Sequence, residues 1–398
     1  MRIKLTKHFL ILIAFSAILR LYFIYETPTS WQANKIGLQA FNDEPAHINY
    51  VKHLMRFGKL PVQNQSVTDE DAFKTFGYEY YQPPLSYQLV AYTANLLGMD
   101  PFGVNLIYLC RFIALLTGLI SIYLLYFLLI NLFDSKWAII LTWFYALNPV
   151  HIRHSSAFSN DIFLWVFINL LLISIILNGA KSRIYGIIEG FILGAAIYTK
   201  SSALVLLPLY VALSLTDRKH YQRWLLPIII SLFISSPYFI RNYKLYGELM
   251  GIGMSHGTVI HSLSEMSFST WMKFFKSLII SLSFPYDTLQ IPFVLKIPAY
   301  FTWIVLILMS VYKSLEKLFK ERLNMINTIP EMVWLLAILA MVVYNWQVLM
   351  VEFRVIFFAF PALILILKEY TTTINEKWIY GIMFITTLYP LILVFAFA

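Results

Sequence analysis

Cysteine is nearly absent. Cys110 stands alone among 398 residues, so the chain can form no disulfide within itself, and its redox compartment cannot be read from it. Charge is scarce as well. Asp, Glu, Lys and Arg make up 13% of the residues, and the acids number only 21. A soluble protein could not cover so much apolar surface with so few charges. Internal repeats and low-complexity tracts are missing, as are a glycine-rich phosphate loop, a dinucleotide fingerprint and His-Glu-x-x-His metal spacing. What the chain has in quantity is apolar side chains. Some 59% of it is hydrophobic, with 32 Phe, 26 Tyr and 10 Trp, and the mean hydropathy is +0.69. That is membrane-protein composition. The formal charge of +9 does not imply nucleic acid, because the Lys and Arg residues are scattered between apolar runs, where orientation in a membrane already requires them.

Runs able to cross a bilayer need about 17–25 residues. They fall near 8–25, 104–133, 136–150, 160–178, 184–199, 201–216, 224–240, 298–313, 330–347, 354–368 and 378–397. The fold class expected is therefore an all-α polytopic membrane protein of about eleven transmembrane helices. The first run follows a basic start and no small-residue cleavage site follows it, so it reads as a retained helix rather than a signal peptide. One set of loops, including "TDRKHYQR" and "KSLEKLFKERLN", is short and basic, which places it and the N-terminus in the cytoplasm. The alternate set faces outward and holds two long segments, 26–103 and 241–297. A single domain over 1–398, with no separate soluble part, is expected. Two amphipathic stretches in the first segment, ending at Gly58 and Gly98, read as helices lying along the outer surface.

The outer face also carries Lys52, Arg56, Lys59, Arg153, Lys200, Arg241, Lys244 and Arg354. Cations on the translocated side run against the orientation rule. Either they are ordinary solvated loop charges or they serve an anionic ligand. The stretch "FNDEPAHINYVKHLMRFGKLPV" adds Asp43, Glu44 and His47, and "HSSAFSND" adds Asp161 at the start of another span. Either acid taken alone reads equally as a helix cap. Together, at the edge of a membrane and beside cations, they suggest a definite chemistry. A carboxylate takes a proton from an acceptor hydroxyl while cations stabilise a departing phosphate whose apolar tail lies in the bilayer. The tyrosines of "YEYYQPPLSY" read as interfacial anchors or, at Tyr80 or Tyr81, as a sugar-stacking surface. Gln82 reads as a sugar ligand or a cap. Arg153, between His151 and His154, reads as a phosphate contact or a solvated turn. Asp43, Glu44, His47 and Asp161 have the atoms to hold Mg or Mn, but no tight spacing demands a metal, and none is expected to be required.

The stretch from Phe41 to Val62, followed by "YEYYQPPLSYQLVAY", resembles the first outer loop of the GT-C membrane glycosyltransferases. It is most similar to the branch holding the protein O-mannosyltransferases, the lipid A aminoarabinose transferase and the lipopolysaccharide core galacturonosyltransferases. "NPVHIRHSSAFSNDIFLWVF", "GAAIYTKSSALVLLPL", "PYFIRNYKLYGELMG" and "EFRVIFFAFPAL" follow in the same order. The chain would be a compact member, since larger ones add a C-terminal soluble domain. The resemblance implies a polyprenyl-phosphate-linked sugar as donor, extracytoplasmic chemistry in a cell membrane and inversion at the sugar carbon. The acceptor would be a lipid, a glycan or a protein. It also implies catalytic roles for Asp43, Glu44 and Asp161. Lys200, Arg241 and Arg354 would lie near the donor phosphate, and His47, Tyr81, Gln82 and Arg153 would be substrate contacts. Three rivals share the lipid-phosphate ligand or its setting: a flippase for a lipid-linked sugar, an oligosaccharide polymerase or ligase, and a non-catalytic assembly subunit.

Overall fold

A computed structural model describes residues 6–28, 43–63, 77–179, 182–251, 258–259, 267–284, 291–321, 325–345, 348–349, 353–370 and 376–397. Parts of both long outer segments, 29–42, 64–76, 252–257, 260–266 and 285–290, lie outside the described residues. The helices in chain order are α1 (Lys7–Glu26), α2 (Glu44–Phe57), α3 (Leu85–Leu96), α4 (Val104–Leu132), α5 (Ser135–Ala146), α6 (Pro149–His154), α7 (Asp161–Asn178) and α8 (Arg183–Ile197). They continue as α9 (Leu207–Thr216), α10 (Tyr221–Tyr246), α11 (Phe268–Ser283), α12 (Phe293–Lys320), α13 (Ile329–Asn345), α14 (Phe360–Tyr370), α15 (Glu376–Met383) and α16 (Tyr389–Phe397).

Seven segments among the described residues are long and apolar enough to cross a membrane: Lys7–Glu26, Val104–Leu132, Asp161–Asn178, Arg218–Tyr246, Phe293–Lys320, Met325–Val343 and Lys377–Ala396. The runs expected at 136–150, 184–199, 201–216 and 354–368 are helical too, but shorter or broken. Helix α5 has 12 residues and rises about 18 Å, well short of a hydrocarbon core of about 30 Å. Proline explains most of the breaks. Pro149, Pro208 and Pro361 each occupy the first or second position of a helix, where the missing N–H costs nothing but the regular helix cannot continue upstream. Upstream of Pro208 and Pro361 the chain runs as tight 3-10 turns, Ser201–Leu206 and Phe353–Ala359. Before Pro149, the Asn148 side chain caps α6 by accepting the Val150 N–H at 2.9 Å. These breaks matter for function. They bring His154, Lys200 and Arg354 to interrupted helix ends instead of hiding them in continuous spans.

The helices are held together in two ways. Small residues allow close approach: Gly186, Gly190 and Gly194 repeat every four positions on α8 and face α10. A Cβ on Gly186 would lie 2.5 Å from the Arg223 carbonyl oxygen, and one on Gly190 would lie 2.6 Å from Ile230 Cβ, so the seam admits only glycine. Buried polar pairs do the rest. Glu189 and Arg223 form an ion pair with both side chains almost wholly buried, and Ser174 Oγ donates to the same carboxylate at 2.7 Å. Charges taken out of water survive only when paired and hydrogen-bonded. Inside α10, Pro237 leaves the Phe233 carbonyl without its helical donor, and Ser236 Oγ supplies one at 2.8 Å. A two-residue antiparallel pairing, Thr258–Val259 with Val348–Leu349, ties the second outer segment to the chain just before Arg354.

The two amphipathic stretches of 26–103 are both helical. Helix α2 ends at Gly58 with φ 61° and α3 is followed by Gly98 with φ 64°, the left-handed geometry that glycine adopts without strain. They pack on each other through stacked Tyr50 and Tyr87 rings 4.1 Å apart.

Candidate functional site

Asp43 sits at the cap position of α2, and Asp161 is the first residue of α7. At neither helix start does a side chain accept an N–H of the first turn. The carboxylates are committed elsewhere. Asp43 forms an ion pair with Arg354, 311 residues away in sequence. Asp161 Oδ1 meets Lys200 Nζ at 2.5 Å, and its Oδ2 lies 4.0 Å from His154 Nδ1. The capping explanation of these acids therefore does not describe their side chains. Two carboxylate–cation pairs face one another instead.

Both pairs line one cavity of about 390 Å³. The polar part of the lining comes from residues 43–82 and the start of α7: Asp43, His47, Glu79, Tyr81, Gln82, Asn160 and Asp161. An apolar part comes from α13 and the 353–359 turn, with Ala337, Met341, Ile356 and Phe358. Met341 and Ile356 also line a second, almost wholly apolar groove of about 720 Å³ between α11, α12 and α13. The cavity thus adjoins an apolar groove, and Arg354 stands two residues from Ile356, which lines both.

The frame around the cavity is rigid. Arg111, within α4 and fully buried, clamps Glu44 with contacts of 2.6 to 3.2 Å. It also donates to the carbonyls of Ile24, Thr27 and Pro28 at the end of α1. Glu44 Oε1 accepts the Phe158 N–H at 2.9 Å. One ion pair therefore fixes the residue beside Asp43 and the loop leading to Asp161. Arg20 does a similar job for α6, contacting Ser155 Oγ at 2.6 Å, His151 Nδ1 at 2.7 Å and the Ala146 carbonyl at 2.8 Å.

Burial works against the charge of Asp43, but the Arg354 guanidinium overrides it and holds the carboxyl below its ordinary pKa. His47 is pushed down to about 4 by burial, so it is neutral at physiological pH, and its Nδ1 lies 2.8 Å from the Tyr87 hydroxyl. Glu79 moves the other way. Burial, and then the negative charge of Asp43, raise its pKa, and Glu79 Oε2 has no hydrogen-bond partner among the described residues.

The structure gathers Asp43, His47, Tyr81, Gln82, Asp161, Lys200 and Arg354 around the cavity, out of the residues singled out in the sequence. Glu44 is outside it, held by Arg111 and Phe158. Arg241, near the end of α10, donates to the Pro61 carbonyl and to Asn242 Oδ1, stitching the C-terminal end of α10 to the segment after α2. Neither Arg241 nor Arg153 is among the described residues that line the cavity. Among the polar residues that line it without having been singled out are Glu79 and Asn160. Glu79 carried a readable signal, being an acid amid tyrosines just ahead of a Pro-Pro pair. Among the described residues, no three His, Cys, Asp or Glu side chains gather closely enough to hold a metal ion.

Residues 82–240 match the family model described as dolichyl-phosphate-mannose-protein mannosyltransferase. No curated protein sequence matches the chain. Solved structures do resemble it. The Archaeoglobus fulgidus oligosaccharyltransferase in its apo form aligns with a TM-score of 0.55 at 13% identity, over 99% of this chain and 56% of that one. The same enzyme tethered to an acceptor peptide containing the NVT sequon aligns with 0.54 at 14% identity, over 97% and 55%. ArnT from Cupriavidus metallidurans bound to undecaprenyl phosphate aligns with 0.56 at 14% identity, over 94% and 62%. The chain spans little more than half the length of these structures. A multi-pass helical chain with broken helix ends, acids at the start of α2 and these neighbours has the fold of the GT-C membrane glycosyltransferases.

Proposed function

We propose that the protein transfers a sugar from a polyprenyl-phosphate-sugar to an acceptor hydroxyl on the extracytoplasmic side of a cell membrane. The observation that carries this reading is the juxtaposition itself: two carboxylate–cation pairs line a cavity that shares Met341 and Ile356 with a neighbouring apolar groove. The apolar groove suits a polyprenyl tail, whose phosphate would then meet Arg354 and Lys200. The relative bound to undecaprenyl phosphate supports a ligand of that kind.

The ion pairs give the site its logic. While Arg354 is paired with Asp43, the aspartate is a weak base. A donor phosphate that draws Arg354 toward itself weakens that pair and raises the basicity of Asp43 as the substrate arrives. The acceptor oxygen then forms a bond to the anomeric carbon from the face opposite the phosphate. The carbon–oxygen bond to phosphate breaks, its electron pair stays on the phosphate, and the configuration inverts. Asp43 takes the acceptor proton while Arg354 and Lys200 stabilise the charge on the leaving group. Asp161 holds Lys200 in place. For Glu44, clamped by Arg111, we assign positioning of Asp43 rather than contact with the sugar.

The experiment is donor binding by the purified chain in lipid nanodiscs. Arg354→Ala and Lys200→Ala should each weaken polyprenyl phosphate binding about ten- to a hundredfold, the scale of one charge-assisted contact of roughly 1.5–3 kcal/mol. Arg241→Ala, away from the cavity, should leave it near the wild-type value. Unchanged affinity in both cavity variants would place the phosphate elsewhere.

A further inference from the structure

We infer that Glu79 is a sugar-reading residue of the donor site and that the sugar it accepts carries no acid group. The inference rests on the proposed donor and goes beyond it to the class of sugar. Glu79 is only 6% exposed, yet it lines the cavity. Its Oε2 is buried without a hydrogen-bond partner among the described residues, a condition that costs free energy unless a ligand completes it. The position follows from the architecture. The apolar groove and the cavity share Met341 and Ile356, and Arg354 lies two residues from Ile356 on the cavity side. Glu79 and Gln82 line the same cavity as Arg354 and Lys200, within reach of a sugar carried on a phosphate held by those cations.

Charge balance selects the sugar. Asp43 and Asp161 are offset by Arg354 and Lys200, and His47 is neutral. Burial and Asp43 keep Glu79 in its uncharged form, able both to donate to a sugar hydroxyl and to accept from one. The donor phosphodiester brings one further negative charge, and both cavity cations are already engaged. A uronic acid would add a second negative charge against Asp43 and Asp161 with no third cation among the described residues that line the cavity to meet it, which is unfavourable in a site of low dielectric. Neutral hydroxyls suit Glu79, Gln82 and Asn160.

The test measures binding of three probes to the purified full chain in nanodiscs: bare polyprenyl phosphate, polyprenyl-phosphate-hexose and polyprenyl-phosphate-uronic acid. Wild type should prefer the hexose over the uronic acid by at least about tenfold. Glu79→Ala should weaken the hexose donor by about tenfold and leave bare polyprenyl phosphate unchanged. Glu79→Gln, which keeps a neutral donor and acceptor, should restore hexose binding. Equal affinity for the two sugars overturns the inference, as does a hexose affinity unmoved by Glu79→Ala. Loss of bare polyprenyl phosphate binding in Glu79→Ala also overturns it, since Glu79 would then serve the phosphate or the fold. If wild type fails to bind bare polyprenyl phosphate at all, it is the proposed donor that fails.

Discussion

Asp43→Asn should lower sugar transfer by a hundredfold or more while leaving the protein folded and able to bind its donor. Asparagine keeps the size of the side chain and caps a helix about as well as aspartate, and no side-chain cap bond is lost at α2 in any case. What disappears is the charge and the proton acceptor, and loss of a general base commonly costs a factor of 10² to 10⁴. The variant has a second signature. Arg354, no longer facing a carboxylate, becomes more available to phosphate, so donor affinity should be unchanged or tighter. A loss of turnover with intact donor binding separates a base from a structural residue. Activity above about a tenth of wild type would remove Asp43 from that role and direct attention to Glu79 and Asp161.

The largest effect on stability is expected at Arg111. Arg111→Met leaves Glu44 buried with no cation and frees three carbonyls at the end of α1. Breaking a buried pair from one side costs about 3–5 kcal/mol, measurable as a lower unfolding midpoint in mild detergent. Removing both charges in Arg111→Met with Glu44→Met should recover a large part of that loss, because no unpaired ion remains. Activity should not recover in parallel, since Glu44 also holds the Phe158 N–H and with it the loop before Asp161. A double variant as unstable as the single one would show that the pair is not what fixes this corner of the fold.

The sequence made some of this site legible and concealed the rest, for physical reasons. Asp43, Lys200 and Arg354 could be read because each is an ionisable group at the edge of an apolar run, where a charge needs a reason. Their pairing could not be read, since Asp43 and Arg354 are 311 residues apart and only the packing of α13 and α2 around one cavity brings them together. Glu44 looked equivalent to Asp43 because the two are adjacent. A helix start turns successive side chains in different directions, however, and Glu44 points to Arg111. That partner was readable in principle, because a lone arginine inside the apolar run 104–133 cannot stay unpaired in a membrane. The same argument applies to Arg20 with His151 and to Glu189 with Arg223. Glu79 was masked by its tyrosine neighbours, which read equally well as interfacial anchors. The broken helices at 201–206 and 353–359 were announced by Pro208 and Pro361. An apolar run is nonetheless the same string whether it spans the bilayer as one helix or as two short pieces.

The central claim is that this chain converts a lipid-linked sugar rather than merely binding or moving it. The most direct measurement reconstitutes purified wild type and Asp43→Asn in vesicles with a radiolabelled polyprenyl-phosphate-hexose and an extract of cell-envelope acceptors. The account predicts that wild type releases free polyprenyl phosphate in step with label entering an acceptor, and that Asp43→Asn does neither. Label that crosses between leaflets while still attached to its polyprenyl phosphate, at the same rate in both proteins, would contradict the account and mark the chain as a flippase.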